Sequence, residues 1–416
     1  MRRLKKAITR MADHCKLLRK LMVIGVLQKR KISFFMRSRK VKCLDEKLVI
    51  FEAFGGRSYG CNPKALYLAM INKKEEYGGY ALVWCFRKPE DYLFLQKNDN
   101  TRLVKYRSKE YYDCYARAKY FITNYRLPQE IKKRKEQIYV QCWHGVPLKR
   151  LGYDIAEYQD RTVSTRALRR QYTKAAKDYT YLLSPSKYYT EKLTSAFHLK
   201  ELHKEDIFIE KGYPRNDALY GDTDKEQEKI RRALGISEEK RVILYCPTYR
   251  ENEYTVGVGN TIELGIDFHH LSEALSKDYV LLFRAHYLIK SKFQFEEFQD
   301  FIIDVSNYQE INDLYIASDL LVTDYSSVMF DYAILEKPIV LYMYDLEEYK
   351  TKLRDFYLEF EELPTAPVTK EEDLIRAIEE TKEFQMDDRY QRFNETHNQR
   401  NGPNTSEVIL KEIFHH

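Results

Sequence analysis

SDLLVTDYSSVMFDYAILEKPIVLYMYD, residues 318–345, predicts a strand, a turn, a helix and a second strand in direct succession. The apolar run at 320–322 predicts a short buried strand. Ser326 and Ser327 then open a segment whose apolar residues recur at helical spacing until Pro338 ends it. A helix between two buried strands is the unit from which parallel sheets are built.

The turn between this strand and this helix is suited to binding an anion. N–H groups at a helix start, the helix dipole and the hydroxyls of Ser326 and Ser327 can hold a phosphate at the carboxyl end of a parallel strand. Asp331 follows Ser327 by one helical turn, so its carboxylate can reach the ribose hydroxyls of a nucleotide bound there. The alternative is an ordinary capped helix, whose Ser and Asp side chains bind only their own backbone.

Composition indicates a soluble protein of two domains. The chain has 416 residues, of which 44% are hydrophobic and 32% are charged. Its 35 tyrosines are unusual, and aromatic-rich clefts suit sugars and nucleobases. The seven cysteines form no C-x-x-C pair, which predicts reduced side chains rather than a disulfide framework or a zinc site.

Positive charge is concentrated at the start of the chain. Residues 1–42 contain fifteen Lys or Arg and one acidic residue, Asp13, which makes this segment +14 although the whole chain is only +7. Its longest apolar run, 21–27, is far shorter than the ~20 residues of a spanning helix, and no signal-peptide cleavage site follows. We interpret 1–42 as a basic amphipathic arm that binds an anionic membrane surface. A nucleic-acid-binding arm and a plain solvated leader are the alternatives.

Strands and helices alternate along the rest of the chain. Predicted strands lie at 48–54, 81–86, 120–124, 138–142, 181–183, 207–210, 241–246, 279–284, 301–305, 320–324 and 338–342. Predicted helices include 63–76, 108–119, 225–234 and 371–384. This alternation is typical of parallel sheets wrapped by helices. We therefore predict two doubly wound domains, 43–215 and 216–416, whose boundary lies near 211–240.

An internal repeat supports the division into two domains. ARAKYFITNY at 116–125 aligns without gaps on IASDLLVTDY at 316–325, and at the same offset Val140 falls on Val340. Chance similarity between two strand motifs is the alternative. The matched positions predict two related Rossmann-like domains that face each other across a cleft. Whether the last helix packs back on the first domain stays open.

One strand end of the first domain carries a candidate base. In CWHGVPLKRLGYD, residues 142–154, a strand is followed at once by His144 and Gly145. A histidine on this rim can accept a proton from an incoming hydroxyl near neutral pH. Gly145 permits close approach of the backbone, and Lys149 adds positive charge. The alternative is a structural histidine bound to a loop.

Two strand ends of the second domain carry phosphate donors. In CPTYRENEY, residues 246–254, both Thr248 and Arg250 can donate hydrogen bonds to phosphate. In FRAHY at 283–287, Arg284 and His286 point to opposite faces if the segment is extended, and His286 can offset charge on a departing phosphate. With Ser326 and Ser327, these residues predict a group of donors on one rim.

Several separated motifs occur together in one known family. They are FGGRSYGCNPKALYLAM at 54–70, WHG at 143–145 with PLK at 147–149, GYPRND at 212–217, CPTYR at 246–250, RAH at 284–286, SDLLVTDYSSVMFDYAILEKPIVLY at 318–342 and NGPNTSEVIL at 401–410. Together they resemble the CDP-glycerol:poly(glycerophosphate) glycerophosphotransferases of teichoic acid synthesis. One departure is LPTAPV at 363–368, where the family usually has Gly-Pro after Leu-Pro.

The resemblance implies a GT-B fold and transfer of a polyol phosphate with release of CMP, without a metal or another cofactor. It implies that His144 is the base on the acceptor hydroxyl and that His286 assists at the diphosphate. It implies that Arg250, Arg284, Ser326 and Ser327 bind phosphate and that Asp331 lies near the ribose. With these five, the predicted substrate-binding residues are Gly145, Lys149, Arg215, Asn216, Thr248 and Asp324.

From these features we expect a peripheral enzyme on the cytoplasmic face of a bacterial membrane. It would transfer glycerol phosphate from CDP-glycerol to a lipid-linked saccharide or glycerophosphate acceptor. A ribitol phosphate or capsule transferase, a sugar-nucleotide glycosyltransferase and a non-catalytic polymer-binding scaffold are the alternatives. We expect no nucleic-acid partner. A homo-oligomer, and the choice between a primase and a polymerase, stay open.

Overall fold

A computed structural model describes residues 16–156, 164–248, 254–255, 259–260, 265–285, 295–347, 349 and 356–414. Two predicted site residues, Arg250 and His286, lie outside these ranges. The chain divides into two compact units. The first unit comprises Met1–Tyr59, Tyr67–Cys142 and Asp178–Tyr181, and the second comprises Gly60–Leu66, Trp143–Lys177 and Leu182–His416. The predicted domain boundary at 215/216 stays a prediction.

Parallel strands form the centre of the fold. The strands are β1 Asp45–Glu52, β2 Ala81–Phe86, β3 Thr101–Lys105, β4 Ala118–Thr123, β5 Ile138–Gln141, β6 Tyr181–Leu183, β7 Phe208–Ile209, β8 Arg241–Cys246, β9 Tyr254–Thr255, β10 Gly259–Asn260, β11 Tyr279–Phe283, β12 Ile302–Asp304, β13 Leu320–Thr323, β14 Ile339–Tyr342 and β15 Pro367–Val368. The first large sheet has the order β3-β2-β1-β4-β5-β6-β7, and the second has the order β12-β11-β8-β13-β14-β15. Both orders reverse beside the first strand, as in doubly wound Rossmann folds.

The helices lie between and beside these strands. They are α1 Lys16–Lys40, α2 Cys61–Asn72, α3 Lys74–Tyr77, α4 Lys109–Arg117, α5 Thr165–Asp178, α6 Lys187–Ala196, α7 Asp224–Ala233, α8 Phe268–Leu275, α9 Ile311–Ala317, α10 Val328–Tyr332, α11 Glu371–Glu380, α12 Asp388–Asn398 and α13 Thr405–Phe414. Several begin at a capping residue that the sequence supplies. The Ser108 side chain accepts a hydrogen bond from the Tyr111 N–H at the start of α4, and Asp387 caps α12 in the same way.

The internal repeat occupies equivalent places in the two sheets. β4 pairs in parallel with β1, and β13 pairs in parallel with β8, so each copy is the strand beside the first strand of its sheet. Asn124, after β4, accepts a hydrogen bond from the Phe54 N–H over 2.7 Å. Asp324, after β13, accepts from the Thr248 N–H over 2.9 Å. Both bonds fasten the turn after the first strand, so the repeat extends to the polar residue that follows each strand.

The predicted α/β class with two Rossmann-like parallel sheets is confirmed. Strands and helices of the sequence analysis occur with boundaries shifted by a few residues, but β3 and the two-residue strands β9, β10 and β15 were missed. The β3 sequence TRLVK contains two basic residues and only two aliphatic ones, so it lacks the apolar run that revealed the other strands. All of β3 nevertheless pairs with β2, from Thr101 opposite Leu82 to Lys105 opposite Phe86.

Helix α1 presents apolar side chains on two sides. Phe34 is 2% exposed and its ring lies 6.3 Å from that of Tyr112 on α4. On another face, Leu21, Ile32 and Phe35 are 56%, 60% and 57% exposed. Within the described residues, no helix is both long enough and apolar enough to cross a bilayer.

Candidate functional site

The segment after β5 meets the start of α10 within the second unit. A methyl group built on Gly145 would lie 2.8 Å from Ser327 Oγ, closer than such atoms approach in proteins. A glycine at this position therefore allows the backbone to pass directly beside Ser327. The neighbouring His144 is exposed, and its ring stacks on Trp143 with 5.0 Å between the centroids. The structure thus places the residue that follows the predicted base beside the predicted phosphate turn.

The serines of the phosphate turn do not act as strong helix caps. Ser327 is the N-cap residue of α10, yet its side chain accepts no hydrogen bond from the N–H groups of that helix. Ser326 Oγ accepts only a long bond, 3.4 Å, from the Val328 N–H. Both serines are partly exposed. The capped-helix alternative thus does not account for the Ser327 hydroxyl, which remains available to a ligand.

Asp331 holds two residues of the GYPRND motif. One of its carboxylate oxygens accepts from Arg215 Nη2 over 2.7 Å, and the other accepts from Asn216 Nδ2 over 3.0 Å. Arg215 and Asp331 are 8% and 6% exposed, and the Asp331 charge raises the pKa of Arg215, although burial acts in the opposite direction. A buried pair of this kind is strongly destabilised when one partner is removed. The predicted contact of Asp331 with ribose stays a prediction, but its carboxylate already binds these two side chains.

A second set of contacts fixes Arg215 from the other side. Its N–H donates to Asn62 Oδ1 over 3.1 Å, and its Nη1 lies 3.2 Å from Cys61 Sγ at the start of α2. Asn312 on α9 donates to the Arg215 carbonyl. The sequence analysis assigned no role to these three side chains. Cys61 and Asn62 lie inside the motif at 54–70, whereas nothing in the sequence distinguished Asn312.

Hydrogen bonds link the loop before Arg215, the residues from Asn401 onward and helix α10. The buried Tyr213 hydroxyl lies 3.4 Å from the Gly145 carbonyl, to which it donates. The Tyr213 N–H donates to Asn401 Oδ1 over 2.8 Å. Asn398 in turn donates to the Phe330 carbonyl of α10 over 2.7 Å. Asn401 and Asn398 therefore hold the loop and the helix in one arrangement.

Lys149 lies against an aromatic stack next to the phosphate turn. Its Nζ is 5.1 Å from the centre of the Tyr349 ring, a distance at which a cation is attracted to the ring face. Tyr349 stacks on Tyr325 with 3.6 Å between centroids, and Tyr325 directly precedes Ser326. The predicted positive charge of Lys149 is thus positioned by the residues that carry the turn.

The other predicted residues belong to the edge of the second sheet. Asp324 is 2% exposed and accepts from the N–H groups of Thr248 and Tyr325, so its carboxylate shapes the two turns. Arg284, after β11, donates from Nη1 to the Tyr308 carbonyl over 2.8 Å. Thr248 and Arg284 are partly exposed at the carboxyl ends of neighbouring strands. Their roles in substrate binding stay predictions.

The expectation that no metal takes part stays a prediction. Across the ranges that the structure describes, no three His, Cys, Asp or Glu side chains form a group that could hold a metal ion. Among the predicted cations, Lys149 lies beside the residues of the turn, whereas Arg215 is paired with Asp331 and Arg284 donates to the Tyr308 carbonyl. Hydroxyl and cationic donors around an exposed imidazole can bind a phosphate and accept a proton from an attacking hydroxyl.

Comparison with known proteins identifies the family. The model of the CDP-Glycerol:Poly(glycerophosphate) glycerophosphotransferase family matches residues 33–415. The chain belongs to this family. A teichoic acid poly(glycerol phosphate) polymerase of Bacillus spizizenii is 37% identical over 89% of this chain and 92% of its own length. A teichoic acid glycerol-phosphate transferase of Staphylococcus aureus is 36% identical over 85% of this chain and 90% of its own length. Of the Bacillus subtilis polymerase, however, the chain spans only 45%.

Solved structures agree with this assignment. The wall teichoic acid polymerase TagF superposes with a TM-score of 0.82 and 33% identity, over 95% of both chains. A histidine variant of TagF soaked with CDPG gives a TM-score of 0.83 and 32% identity, over 96% of both chains. The family is therefore one of enzymes of teichoic acid synthesis.

Proposed function

We propose that this chain transfers glycerol phosphate from CDP-glycerol to a hydroxyl of a lipid-linked acceptor and releases CMP, in the synthesis of wall teichoic acid or a related polymer. The approach of Gly145 to Ser327 carries this proposal. It sets the residue after the exposed His144 beside the Ser327 hydroxyl, which can bind a diphosphate. The name of the family and the CDPG complex of TagF support CDP-glycerol as the donor.

In the proposed reaction, an acceptor oxygen attacks the phosphorus that carries glycerol. The bond between this phosphorus and the oxygen that bridges the two phosphates breaks, and CMP leaves with that oxygen. His144 accepts the proton of the attacking hydroxyl, which makes the oxygen a better nucleophile. Ser326, Ser327 and Arg284 stabilise negative charge on the diphosphate. By family resemblance, His286 assists the departing phosphate.

Arg215 and Asp331 act as positioning residues in this proposal. Their buried pair connects the GYPRND loop with α10, one turn beyond Ser327. Tyr213 continues the connection to the Gly145 carbonyl. The network therefore keeps the backbone beside His144 and the serine turn in register, which catalysis by preorganised groups requires.

Helix α1 supports attachment to an anionic membrane. Phe34 packs inside the first unit, whereas Leu21, Ile24, Ile32 and Phe35 recur at helical spacing on the exposed side. Lys and Arg accompany them along the helix. Exposed apolar residues combined with basic ones are typical of helices that lie in the headgroup region. This attachment would hold the enzyme on the cytoplasmic face, where lipid-linked acceptors are extended.

Replacement of His144 tests the proposed base. We expect His144→Ala to lower the rate of CMP release from CDP-glycerol by about 10²- to 10⁴-fold, because a positioned proton acceptor contributes an effect of that size. The dissociation constant of CDP-glycerol should change little. His269→Ala is the matched control, because His269 is an exposed histidine on α8. Turnover of His144→Ala within about twofold of wild type would exclude the assignment.

A further inference from the structure

Helix α5 lines a cavity of the second unit with a row of cations. The cavity has a volume of about 1100 Å³. Its cationic lining residues are Arg166, Arg169, Arg170, Lys174 and Lys177, joined by Tyr153, Ala156, Thr165 and Thr173. The cations are spaced by one, three or four residues, so they share one side of the helix. The row from 166 to 177 is about 16 Å long at ~1.5 Å per residue.

The charges of this row lack acidic partners where the structure describes the surroundings. Arg166, Arg170, Lys174 and Lys177 are exposed, and none forms an ion pair with a described carboxylate. Like charges at such spacing destabilise an isolated helix. The repulsion between these cations on one side of α5 therefore destabilises the helix, and bound anions would offset that repulsion.

Arg169 is held in place at the bottom of this row. Its Nη2 donates to the Ile155 carbonyl over 2.8 Å, and its guanidinium lies 5.7 Å from the centre of the Tyr153 ring. Its Nε is buried without a hydrogen-bond partner among the described residues. The segment that begins at Gly145 thus shapes the base of the cavity. Tyr153 follows Gly145 by eight positions in the sequence. A fully extended chain of that length spans at most about 28 Å between the two Cα atoms.

We propose that this cationic row, Arg166, Arg170, Lys174 and Lys177, binds the phosphodiester groups of the acceptor chain while its end reacts near His144. The inference rests on the proposed function and deepens it, because it assigns the phosphodiester groups of the acceptor to a place on this chain. One glycerol unit separates successive phosphates in such a chain, so a row of this length meets more than one of them. The chain would then extend existing glycerol phosphate polymers in preference to priming new ones.

A dissolved polyanion fits this row better than a membrane surface does. No large apolar side chain that is exposed lies on α5, whereas α1 carries several. A helix that inserts in the headgroup region needs an apolar face beside its charges. The row also lines a concave cavity rather than a flat surface. Cations without an apolar face bind phosphates through charge alone, and such binding weakens as salt displaces the ligand.

The test compares acceptors of different length without lipid. Arg166→Gln, Arg170→Gln and Lys174→Gln are combined in one variant of the full chain. We expect its KM for a soluble glycerol phosphate oligomer to rise at least about tenfold, while the KM values for a single-unit acceptor and for CDP-glycerol stay within about twofold. The slope of log KM against log salt for the oligomer should fall by about two, since three phosphate contacts are lost.

The matched control removes the same charge from another exposed helix. Lys225→Gln, Lys229→Gln and Arg232→Gln on α7 should leave all three KM values unchanged. Equal KM values of the α5 variant and wild type for the oligomer would overturn the inference. So would loss of binding to anionic vesicles together with an unchanged KM for the soluble oligomer, which would assign the row to a membrane. If wild type releases no CMP with any acceptor, the proposed function fails, and the inference fails with it.

Discussion

The absence of a Cβ atom at Gly145 allows the backbone to pass directly beside Ser327. Any other residue would place Cβ 2.8 Å from Ser327 Oγ and 3.3 Å from Ser327 Cβ. The backbone of Gly145 is not in the left-handed region, so the requirement concerns space and not backbone strain. Ser327 is also the residue whose hydroxyl does not cap its own helix.

We therefore predict that Gly145→Ala displaces the Ser327 side chain. The KM for CDP-glycerol should rise about tenfold, equivalent to about 1.4 kcal/mol, with little change in melting temperature. Steady-state kinetics with the donor varied would measure the effect. Ser327→Ala should reproduce it, and the double variant should be no worse than either single one, because all three remove the same hydroxyl contact.

Gly402→Ala provides the control for this prediction. A methyl group at Gly402 would meet no atom within 4 Å, and its φ is not positive. Donor binding should be unaffected by this change. An unaltered donor KM in Gly145→Ala would show that Ser327 does not contact the donor.

The sequence predicts candidate site residues at strand ends and helix starts but not the contacts between them. His144, Ser326 and Ser327 were found because strand ends and helix starts are visible in local patterns. The partners of Asp331 were not found, because Arg215 lies 116 residues away and the spacing within a helix reports only on neighbours in the same helix. The helical spacing predicts that Asp331 contacts the ribose. In the structure, its carboxylate accepts hydrogen bonds from Arg215 and Asn216.

Strands and helices were predictable to the extent that each carries its own signal. β8 and β13 consist mostly of apolar residues, and these apolar runs predict both strands. β3 was missed because its two aliphatic residues, Leu103 and Val104, stand between the exposed Arg102 and Lys105, so the apolar run is too short to predict a strand. The register of β3 on β2 makes it a strand, and register is a property of the sheet.

Helix α1 carries a signal that is visible only after folding. The sequence showed basic and apolar residues together, and the structure shows which apolar residues are already used. Phe34 is buried inside the first unit, while Leu21, Ile32 and Phe35 are more than half exposed. Arg37 forms an ion pair with Asp113, so the helix is anchored along one side.

We predict that the exposed side of α1 binds membranes. Leu21→Asn, Ile32→Asn and Phe35→Asn combined should lower partition onto anionic vesicles at least about tenfold, because each buried side chain of this size contributes about 1.5–3 kcal/mol. Vesicle flotation at fixed lipid concentration would measure it. The same three changes should leave binding of CDP-glycerol intact.

A control for this experiment uses exposed apolar residues elsewhere. Leu93→Asn, Met386→Asn and Val408→Asn replace side chains that are 58%, 39% and 41% exposed. This variant should float with vesicles as wild type does. Equal flotation of the α1 variant and wild type would contradict membrane binding through α1.

The two large sheets share a strand arrangement and a turn contact, but the residues that follow the repeated strand differ between them. In both, a polar residue after the strand next to the first one fastens the turn after that first strand, through Asn124 to Phe54 and through Asp324 to Thr248. Only the second copy continues into the Ser326–Ser327 turn; in the first, Arg126 and Leu127 follow the strand and its tyrosine. The shared plan explains why the fold was predictable from the repeat, and the difference explains why the donor site was assigned to one copy.

The most direct test of the proposed function is to identify what the purified chain transfers. Wild type would be incubated with a lipid-linked glycerophosphate acceptor and one donor per reaction: CDP-glycerol, CDP-ribitol or a UDP-sugar. Mass spectrometry would measure the masses of the products. We expect CDP-glycerol to give CMP and an acceptor heavier by whole glycerol phosphate units, in equal molar amounts, with the other donors much slower. A gain of ribitol phosphate or of a sugar instead, or no CMP from CDP-glycerol, would contradict the proposal.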